Sequence, residues 1–564
     1  MRPMIRDIDA LQNNRYDLVI IGAGIFGVCA AWDAALRGLS VAIIDKGDFS
    51  SATSANHFKM VHGGIRYLQH GDVIRIRESS RERSALLRIA PHLVKPLPIV
   101  IPTYGHGMKG KAVLGAGMLV YDLLTLDRNR GIQPDRQIPW GKFISADQVL
   151  NLFPGIRQEG LTGAAVFCDG QMYNPPRVAL SFLRAAVERG ADVANYVEAA
   201  GFLRDGNSVL GIQARDILEN RFFEIRGRCV LNAAGPWAHR LLESDLNLRL
   251  SHRPTFSRDL AFVVNRSLTH DYAIAFSTGS KDSDTLLDRG GRHLFAVPWR
   301  DYMLIGVWHK VYTAPPEEIV VEPEEIESFV NEVNQAFAGI SICPGDINLI
   351  NTGLTLFGEE GQQSVESMSF GKRSMLIDHE SVHGLNGLVT LIGVRATTAR
   401  GMASRAMDLI MRKSGLPDKK SDTENTPIYG GDIESFDQTV QGIIANHRSD
   451  ISDLQARCLV ANYGSQWPAV VKYANEDASL LKTIGKSSTL QAEVLHAVRE
   501  EMAVHLGDVV FRRTDLGTGR IPAKPELEAC ARLIAAELGW DQEAIKAEIE
   551  SVRHFFHTLA SCPN

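Results

Sequence analysis

The strongest constraint on this chain is the stretch Tyr16–Asp45, YDLVIIGAGIFGVCAAWDAALRGLSVAIID. Its apolar run Leu18-Val19-Ile20-Ile21 has the length and branched content of a buried parallel strand. Gly22, Gly24 and Gly27 follow in G-x-G-x-x-G spacing, then a helical segment from Ile25 and Phe26 to Leu36. A second apolar run, Leu39–Ile44, ends on Asp45 and Lys46. In such a strand–helix–strand unit the first glycine makes the tight turn and the second lets the backbone approach a pyrophosphate. The third lets helix and strand pack closely, and the helix N-terminus turns its free N–H groups toward the phosphates. An acid closing the second strand accepts from ribose hydroxyls. All the parts stand in order, which predicts a dinucleotide site.

A chain of 564 residues exceeds one hydrophobic core, so two or three domains are expected. A net charge of −6 gives no reason to expect nucleic acid as a partner. The seven cysteines are dispersed, with no C-x-x-C pair, which suits reduced thiols in a cytoplasmic setting and argues against a metal site. The N-terminus, MRPMIRDIDALQNNRYD, has no apolar signal core and reads as a short extension over 1–15. No run of 18 apolar residues occurs. The nearest stretch, Ala112–Leu126 behind Lys109 and Lys111, fits either a buried core helix or an interfacial helix resting on a membrane.

Along the chain, helices are predicted over Val73–Ile89, Ser145–Phe153 (capped by Ser145), Pro175–Gly190 and Glu317–Phe337. Strands are expected at Ala191–Val197, in a hairpin of Ala199–Arg204 and Ser208–Gln213, and at Phe222–Ile225, Cys229–Asn232 and Leu388–Gly393. Alternating strands between Arg253 and Thr313 indicate an antiparallel sheet inserted into the α/β framework. Residues 413–432 read as a polar linker, and 433–564 as a separate helical domain with helices near 450–462, 466–475, 489–504 and 524–558. The fold class expected is therefore α/β: a Rossmann-like dinucleotide-binding domain over 16–412, an interleaved antiparallel-sheet substrate domain (mainly 80–165 and 253–385), and a C-terminal all-helical domain.

FAD rather than NAD follows from three features taken in order. The glycine motif opens the chain. A second turn, Ala233-Ala234-Gly235-Pro236, lies about 200 residues later, where an interrupted nucleotide fold would return to the pyrophosphate. A third, Leu391-Ile392-Gly393, precedes a helix start bearing Thr397 and Thr398, whose N–H groups could stabilise negative charge on a reduced flavin.

At these residues the chain resembles the FAD-dependent (respiratory) glycerol-3-phosphate dehydrogenases, relatives of the amino-acid-oxidase-type flavoproteins. The motifs that carry the resemblance are IIGAGIFG (20–27), RGLSVAIID (37–45), ATS (52–54), KMVHGGIRYL (59–68), LNAAGPWA (231–238), FAVPW (295–299) and FRRTDLG (511–517). It implies that Gly22, Gly24, Gly27 and Asp45 hold the ADP half of FAD, and that Thr53, Ser54, Lys59, Met60, Val61, His62 and Gly63 run beside the ribityl chain and ring. Val197 would contact adenine through its backbone, and Ala234 and Gly235 would approach the pyrophosphate. Gly393, Arg395, Ala396, Thr397 and Thr398 would face the flavin's pyrimidine edge. Arg66 would face a substrate phosphate. His62 either packs against the ring or tethers it. The resemblance further implies oxidation of sn-glycerol 3-phosphate to dihydroxyacetone phosphate, electrons passing to a quinone, a homodimer, and a cytoplasmic location on the inner face of the cell membrane.

The match fails where substrate is recognised. The family's G-x-R-P is here Gly353-Leu354-Thr355-Leu356, so a phosphate-binding arginine has become Thr355. Its G-G-K-L-T-T-Y-R is here Gly393–Arg400, so an active-site lysine has become Arg395, a planar cation that will not deprotonate. Its G-T-T-D turn is Gly306-Val307-Trp308-His309, and its usual strand histidine aligns with Leu260. The candidate catalytic residues are accordingly Arg66 and Arg395 as anion anchors and His309 as a replacement base. Two catalytic readings stay open: glycerol 3-phosphate oxidation, or action as a dehydrogenase or oxidase on another small anionic hydroxy or amino compound. A third, a flavoprotein retained only for binding, is disfavoured by the kept flavin loop.

Overall fold

The computed structural model describes residues 2–105, 110–248, 250, 254–266, 271–278, 293–357, 374–415, 419–447 and 450–560. Two sheets organise them. The first orders its strands Met375–Asp378, Leu388–Ile392, Arg221–Asn232, Arg15–Ile21, Val41–Ile44 and Asp192–Ala194. Within the strand Arg15–Ile21, Leu18–Ile21 is paired on both sides and parallel to both neighbours, which is why these four residues are apolar without alternation. Helices Ile25–Leu36, Pro175–Glu188 and Ala399–Lys413 share one core with it.

Arg221–Asn232 joins two expected segments into one strand. Its first half pairs antiparallel with Ser208–Asp216, and its second half runs parallel to Arg15–Ile21. The small-residue turn at Ala233 to Gly235 is thereby delivered beside Gly22: a Cβ on Gly22 would lie 2.8 Å from the Ala233 carbonyl oxygen.

The second sheet runs Ile347–Phe357, Thr255–Val264, Tyr302–Tyr312, His293–Trp299, Ala273–Ser277, Val94–Tyr104, Leu161–Met172 and Met60–Val61. Its strands therefore come from 60–172 and 255–357, whereas Met375–Asp378, which the sequence places in the insert, pairs with Leu388–Ile392 in the first sheet. The loop that follows Asp45 is tied to the second sheet at Thr53, whose hydroxyl donates to the Leu354 carbonyl (3.2 Å) and accepts from the Leu354 N–H (3.0 Å).

The helical C-terminal part is held to the rest by buried charge. Asp48 accepts from Arg513 at 2.7 and 2.8 Å and also binds Arg512, while Arg177 pairs with Glu501 at 2.7 Å. The two arginines of the FRRT motif thus grip the loop that follows Asp45. Residues 419–431 are no loose linker either. Arg37 donates to the Lys419 carbonyl, Arg400 to Thr423, and Ile428 and Tyr429 are buried.

Three helices differ from expectation. The acidic helix is Pro323–Ala336, because Pro323 suits the first helical turn, and Glu317 lies in a short turn ahead of it. The span 524–558 breaks into Lys524–Leu538 and Gln542–Ala560, where Gly539 adopts a left-handed φ of +72° that ends the first helix. The helix Lys111–Leu124 is not a core helix. Only Met118, Tyr121 and Asp122 are buried, and Leu119 is 55% exposed with Val120 and Leu123 beside it. Among the described residues no helix is long and apolar enough to cross a membrane.

Candidate functional site

Between the two sheets lies a cavity of about 3030 Å³. Ordinary small-molecule pockets run to about 1,000 Å³, so this one has room for a dinucleotide and a second ligand. Its floor is the glycine turn. Gly22, Gly24, Ile25 and Phe26 line it, and a Cβ on Gly24 would sit 3.1 Å from the Ser54 hydroxyl. Asp45 also lines it, accepting from the Ala23 N–H at 2.7 Å and the Gly47 N–H at 2.9 Å. Burial pushes its carboxyl up to about 6, those two N–H groups opposing the shift. Each carboxylate oxygen keeps lone-pair capacity for a ribose hydroxyl. A helix start with no side chain at its N-cap Gly24 (its Ile25 N–H donates to the Ser54 hydroxyl at 2.9 Å), a cradle that a Cβ at Gly22 would fill, and this acid together fit the ADP half of FAD.

Lys46 lines the same end, where it lies over the Trp237 ring at 4.2 Å and 3.5 Å from Glu317. Arg240 binds Glu317 at 2.8 Å, so this carboxylate reaches from the second sheet's connections onto the first. Val197, Ala234 and Gly235 complete that wall. Farther along, Thr53, Ser54, Met60 and His62 face Gly393, Arg395, Ala396 and Thr397 across the cavity, and the His62 N–H donates to the Thr397 hydroxyl at 3.1 Å.

Five expected cofactor residues do not line the cavity. Gly27 packs beneath the turn, where a Cβ would lie 1.9 Å from the Gly22 carbonyl oxygen. Val61 is a core residue paired to Gly170, and Thr398 starts a helix with its hydroxyl on the Arg395 carbonyl. Gly63 is enclosed by Arg83 and Tyr121, its N–H held by Asp169 at 2.6 Å. Lys59 turns the other way, to the Trp299 ring at 4.7 Å. Burial, with a contribution from Arg300, brings its ammonium down to about 7.

One corner of the cavity is cationic. Arg66, Arg75 and Arg395 stack around Tyr67 at 5.2, 4.9 and 5.2 Å from its ring, and Arg395 donates to the Tyr67 hydroxyl at 2.5 Å. Burial works to raise the Tyr67 phenol, but the three guanidiniums outweigh it and hold it below its ordinary value. Burial likewise holds the Arg395 guanidinium below its usual range. Arg75 is neutralised by Asp72 at 2.6 Å, which leaves Arg66 and Arg395 as the charges available to an anion.

His309 also lines the cavity, on a different wall, with Nδ1 2.7 Å from Asp259. Thr355 donates to the same carboxylate at 2.9 Å. The sequence points to His309 and Thr355 separately. It misses Asp259, which lies next to Arg258 in the mixed strand TFSRDLAFVV and carries no local signal of its own. His57 is missed too. It lines the cavity, and burial pushes it down to about 3, so the neutral ring accepts the Lys59 N–H through Nδ1 at 3.0 Å.

Comparison with known proteins adds to this geometry. Residues 17–361 match the family model of the FAD dependent oxidoreductases, and 421–545 match the model for the C-terminal domain of alpha-glycerophosphate oxidase. The chain is 28% identical over 564 residues to a glycerol-3-phosphate dehydrogenase of Synechocystis, covering 98% of each. It is 27% identical to the aerobic glycerol-3-phosphate dehydrogenase of Staphylococcus haemolyticus, covering 89% of this chain and 87% of that one. Among solved structures, the glycerol-3-phosphate dehydrogenase of Bacillus halodurans complexed with FAD superposes with a TM-score of 0.76 at 23% identity, over 98% and 97% of the two chains.

Proposed function

This chain belongs to the FAD-dependent oxidoreductases, and we propose that it oxidises sn-glycerol 3-phosphate to dihydroxyacetone phosphate. The observation that carries the reading is the pair Arg66 and Arg395, two cations converging on one corner of a cofactor-sized cavity in a chain that is similar along its whole length to glycerol-3-phosphate dehydrogenases. FAD supplies the two-electron acceptor for the carbinol C–H bond. The chain's own residues do the rest. Arg66 and Arg395 bind the phosphate, Tyr67 holds Arg395 in place, and His309 accepts the hydroxyl proton. The helix-start N–H groups of the cavity-lining turn 393–397 would favour negative charge on a bound flavin.

The test is anaerobic mixing of the purified yellow protein with glycerol 3-phosphate while flavin absorbance is followed. Rapid bleaching is expected, and an oxidised spectrum that persists overturns the reading. Arg66→Ala is expected to raise the substrate concentration for half-maximal bleaching on the order of 10²-fold, because charge-assisted hydrogen bonds contribute about 1.5–3 kcal/mol each. An unchanged concentration dependence would remove Arg66 from the anchor.

One observation favours a second reading. Thr355 stands where the related pattern has an arginine, and its hydroxyl is spent on Asp259. A protein that stays oxidised with glycerol 3-phosphate but bleaches with another small anionic hydroxy or amino compound would establish that alternative.

The electron acceptor we propose is a quinone reached at the inner membrane surface by a peripherally bound homodimer. The support is the helix Lys111–Leu124. Its Leu114, Gly117 and Met118 line the cavity, while Leu119, Val120 and Leu123 are exposed and Gly115 lies against the exposed Phe143. Such a one-sided apolar helix suits an interface. Leu119→Glu with Leu123→Glu is expected to abolish co-sedimentation with phospholipid vesicles and to leave substrate bleaching intact. Retained vesicle binding would refute the surface.

A further inference from the structure

The strands Thr255–Val264, Tyr302–Tyr312 and Ile347–Phe357 are adjacent, and their side chains alternate between two faces. On the outer face, Arg258 and Lys310 both pair with Glu325 of the covering helix at 2.6 Å, and Trp308 stacks on Phe329. That face is scaffold. On the inner face, Asp259, His309 and Thr355 all line the cavity, in the same rows as Ala261, Val307 and Gly353. Asp259 and His309 are direct cross-strand partners, and Thr355 is the diagonal neighbour.

Three groups converge on the Asp259 carboxylate. Ser257 Oγ and His309 Nδ1 reach Oδ1 at 2.8 and 2.7 Å, and Thr355 Oγ1 reaches Oδ2 at 2.9 Å. An ionised carboxylate only accepts, so both hydroxyls and Nδ1 are the donors. That fixes the neutral imidazole as the Nδ1–H tautomer, whose acceptor nitrogen is Nε2. The side chains of His309 and Asp259 are 28% and 24% exposed, so the pair is neither sealed in a core nor loose on a surface. Its position relative to the cofactor loop is fixed as well. Opposite Asp259 stands Gly353, whose Cβ would lie 3.0 Å from Thr53, and the next residue, Leu354, makes the two hydrogen bonds with the Thr53 hydroxyl.

We propose that Asp259 is the positioning residue of this site, holding His309 with Nδ1–H on its carboxylate and Nε2 as acceptor of the substrate hydroxyl proton, while Ser257 and Thr355 lock that carboxylate in place. The inference rests on the reading of the chain as an alcohol-oxidising flavoenzyme. In the step it serves, the substrate O–H bond breaks and its proton joins Nε2. The carbinol C–H bond breaks with both electrons leaving as hydride to the FAD that the family supplies, and the C=O bond forms. The imidazolium so made faces Asp259 and returns its proton to water. A carboxylate at this wall also repels phosphate, which places the phosphate end of the substrate at Arg66 and Arg395. The two departures at His309 and Thr355 thus become one hydrogen-bonded unit.

The experiment compares wild type, Asp259→Asn and Asp259→Glu as FAD-loaded proteins, with melting temperature and flavin spectrum as controls for folding. In stopped-flow reduction by glycerol 3-phosphate, Asp259→Asn is expected to lower the limiting rate on the order of 10²–10⁴-fold with little change in half-saturating concentration, and Asp259→Glu to restore part of it. Equal limiting rates in wild type and Asp259→Asn overturn the proposal while leaving the substrate reading intact.

A second arm needs no substrate. ¹⁵N-histidine spectra, with the His309 signal identified by its loss in His309→Gln, should show the Nδ1–H tautomer in wild type and a mixture with the Nε2–H tautomer in Asp259→Asn. If glycerol 3-phosphate fails to reduce the wild type, the substrate reading falls and this arm decides for the pair. An Nε2–H tautomer in the wild type overturns it.

Discussion

Asp48→Ala is expected to cost about 3–5 kcal/mol of stability, the scale for leaving buried charge without its counter-ion. Asp48 is 0% exposed, and its carboxylate takes both Nη atoms of Arg513, the Arg512 guanidinium and the Asn195 amide at 3.0 Å. Removing it leaves the buried Arg513 without a carboxylate, while Arg512 keeps only Asp508 at 2.7 Å. It also frees the loop between Asp45 and Thr53, so cofactor retention should fall with stability. Burial alone would raise this carboxyl, but Arg513 and Arg512 outweigh it and hold it well below the ordinary value of 3.8. Glu501, held down by Arg177 and His496 against burial, behaves alike against its ordinary 4.5. A depressed carboxylate stabilises the fold fully above its unfolded value and loses that contribution as pH falls toward the folded one. The wild type should therefore lose stability below about pH 4.5, and Asp48→Ala should lose less of it there. Urea denaturation of both proteins from pH 7 to pH 3 checks this. Equal midpoints at pH 7 would show that the FRRT arginines carry no load at this contact.

Gly27→Ala should give a protein purified without its yellow colour. The added Cβ would lie 1.9 Å from the Gly22 carbonyl oxygen, and this oxygen belongs to the backbone, so no side-chain rotation relieves the contact. The helix Ile25–Leu36 must shift away from the turn, which moves its N-terminal N–H groups off the pyrophosphate position. Overpacking of this kind costs about 3 kcal/mol, a loss of roughly 100-fold in FAD affinity. Titration of stripped protein with FAD, followed by flavin fluorescence, measures it. Gly38→Ala is the control: no atom lies within 4 Å of its Cβ, although its φ of +90° costs some stability. Wild-type affinity in Gly27→Ala would refute the role given to the third glycine.

Much of this was legible from residues close together in the chain. The glycine turn, its helix and Asp45 lie within 30 residues, and the strand pairing that completes them follows from their apolar character. The capping box at Ser145 and Gln148 was readable for the same reason. What escaped depends on residues that only folding brings together. Asp259 means little in its own strand; it gains a role from His309 and Thr355, 50 and 96 residues away. Lys59 and Gly63 sit in a cofactor motif, yet backbone geometry turns both from the cavity, Lys59 through a left-handed φ of 60°. The outward face of Lys111–Leu124 was unreadable because apolar content does not say which side a neighbour covers. The break at Gly539 was within reach, since a glycine followed by Trp540-Asp541 is a helix stop.

The nucleotide-binding strands are scattered along the chain in a way that bears on the timing of synthesis. The glycine turn and Asp45 emerge first, but the strand on which Ala233 to Gly235 ride ends at Asn232, and Leu388–Ile392, beside it in the sheet, comes about 350 residues after Asp45. At about 5–20 residues per second, roughly 20–70 s separate the first wall of the cavity from the last. Through that interval the nascent chain carries an open parallel sheet with unpaired edges and no completed cofactor site, so FAD enters late, as the piece that closes an assembly already waiting for it.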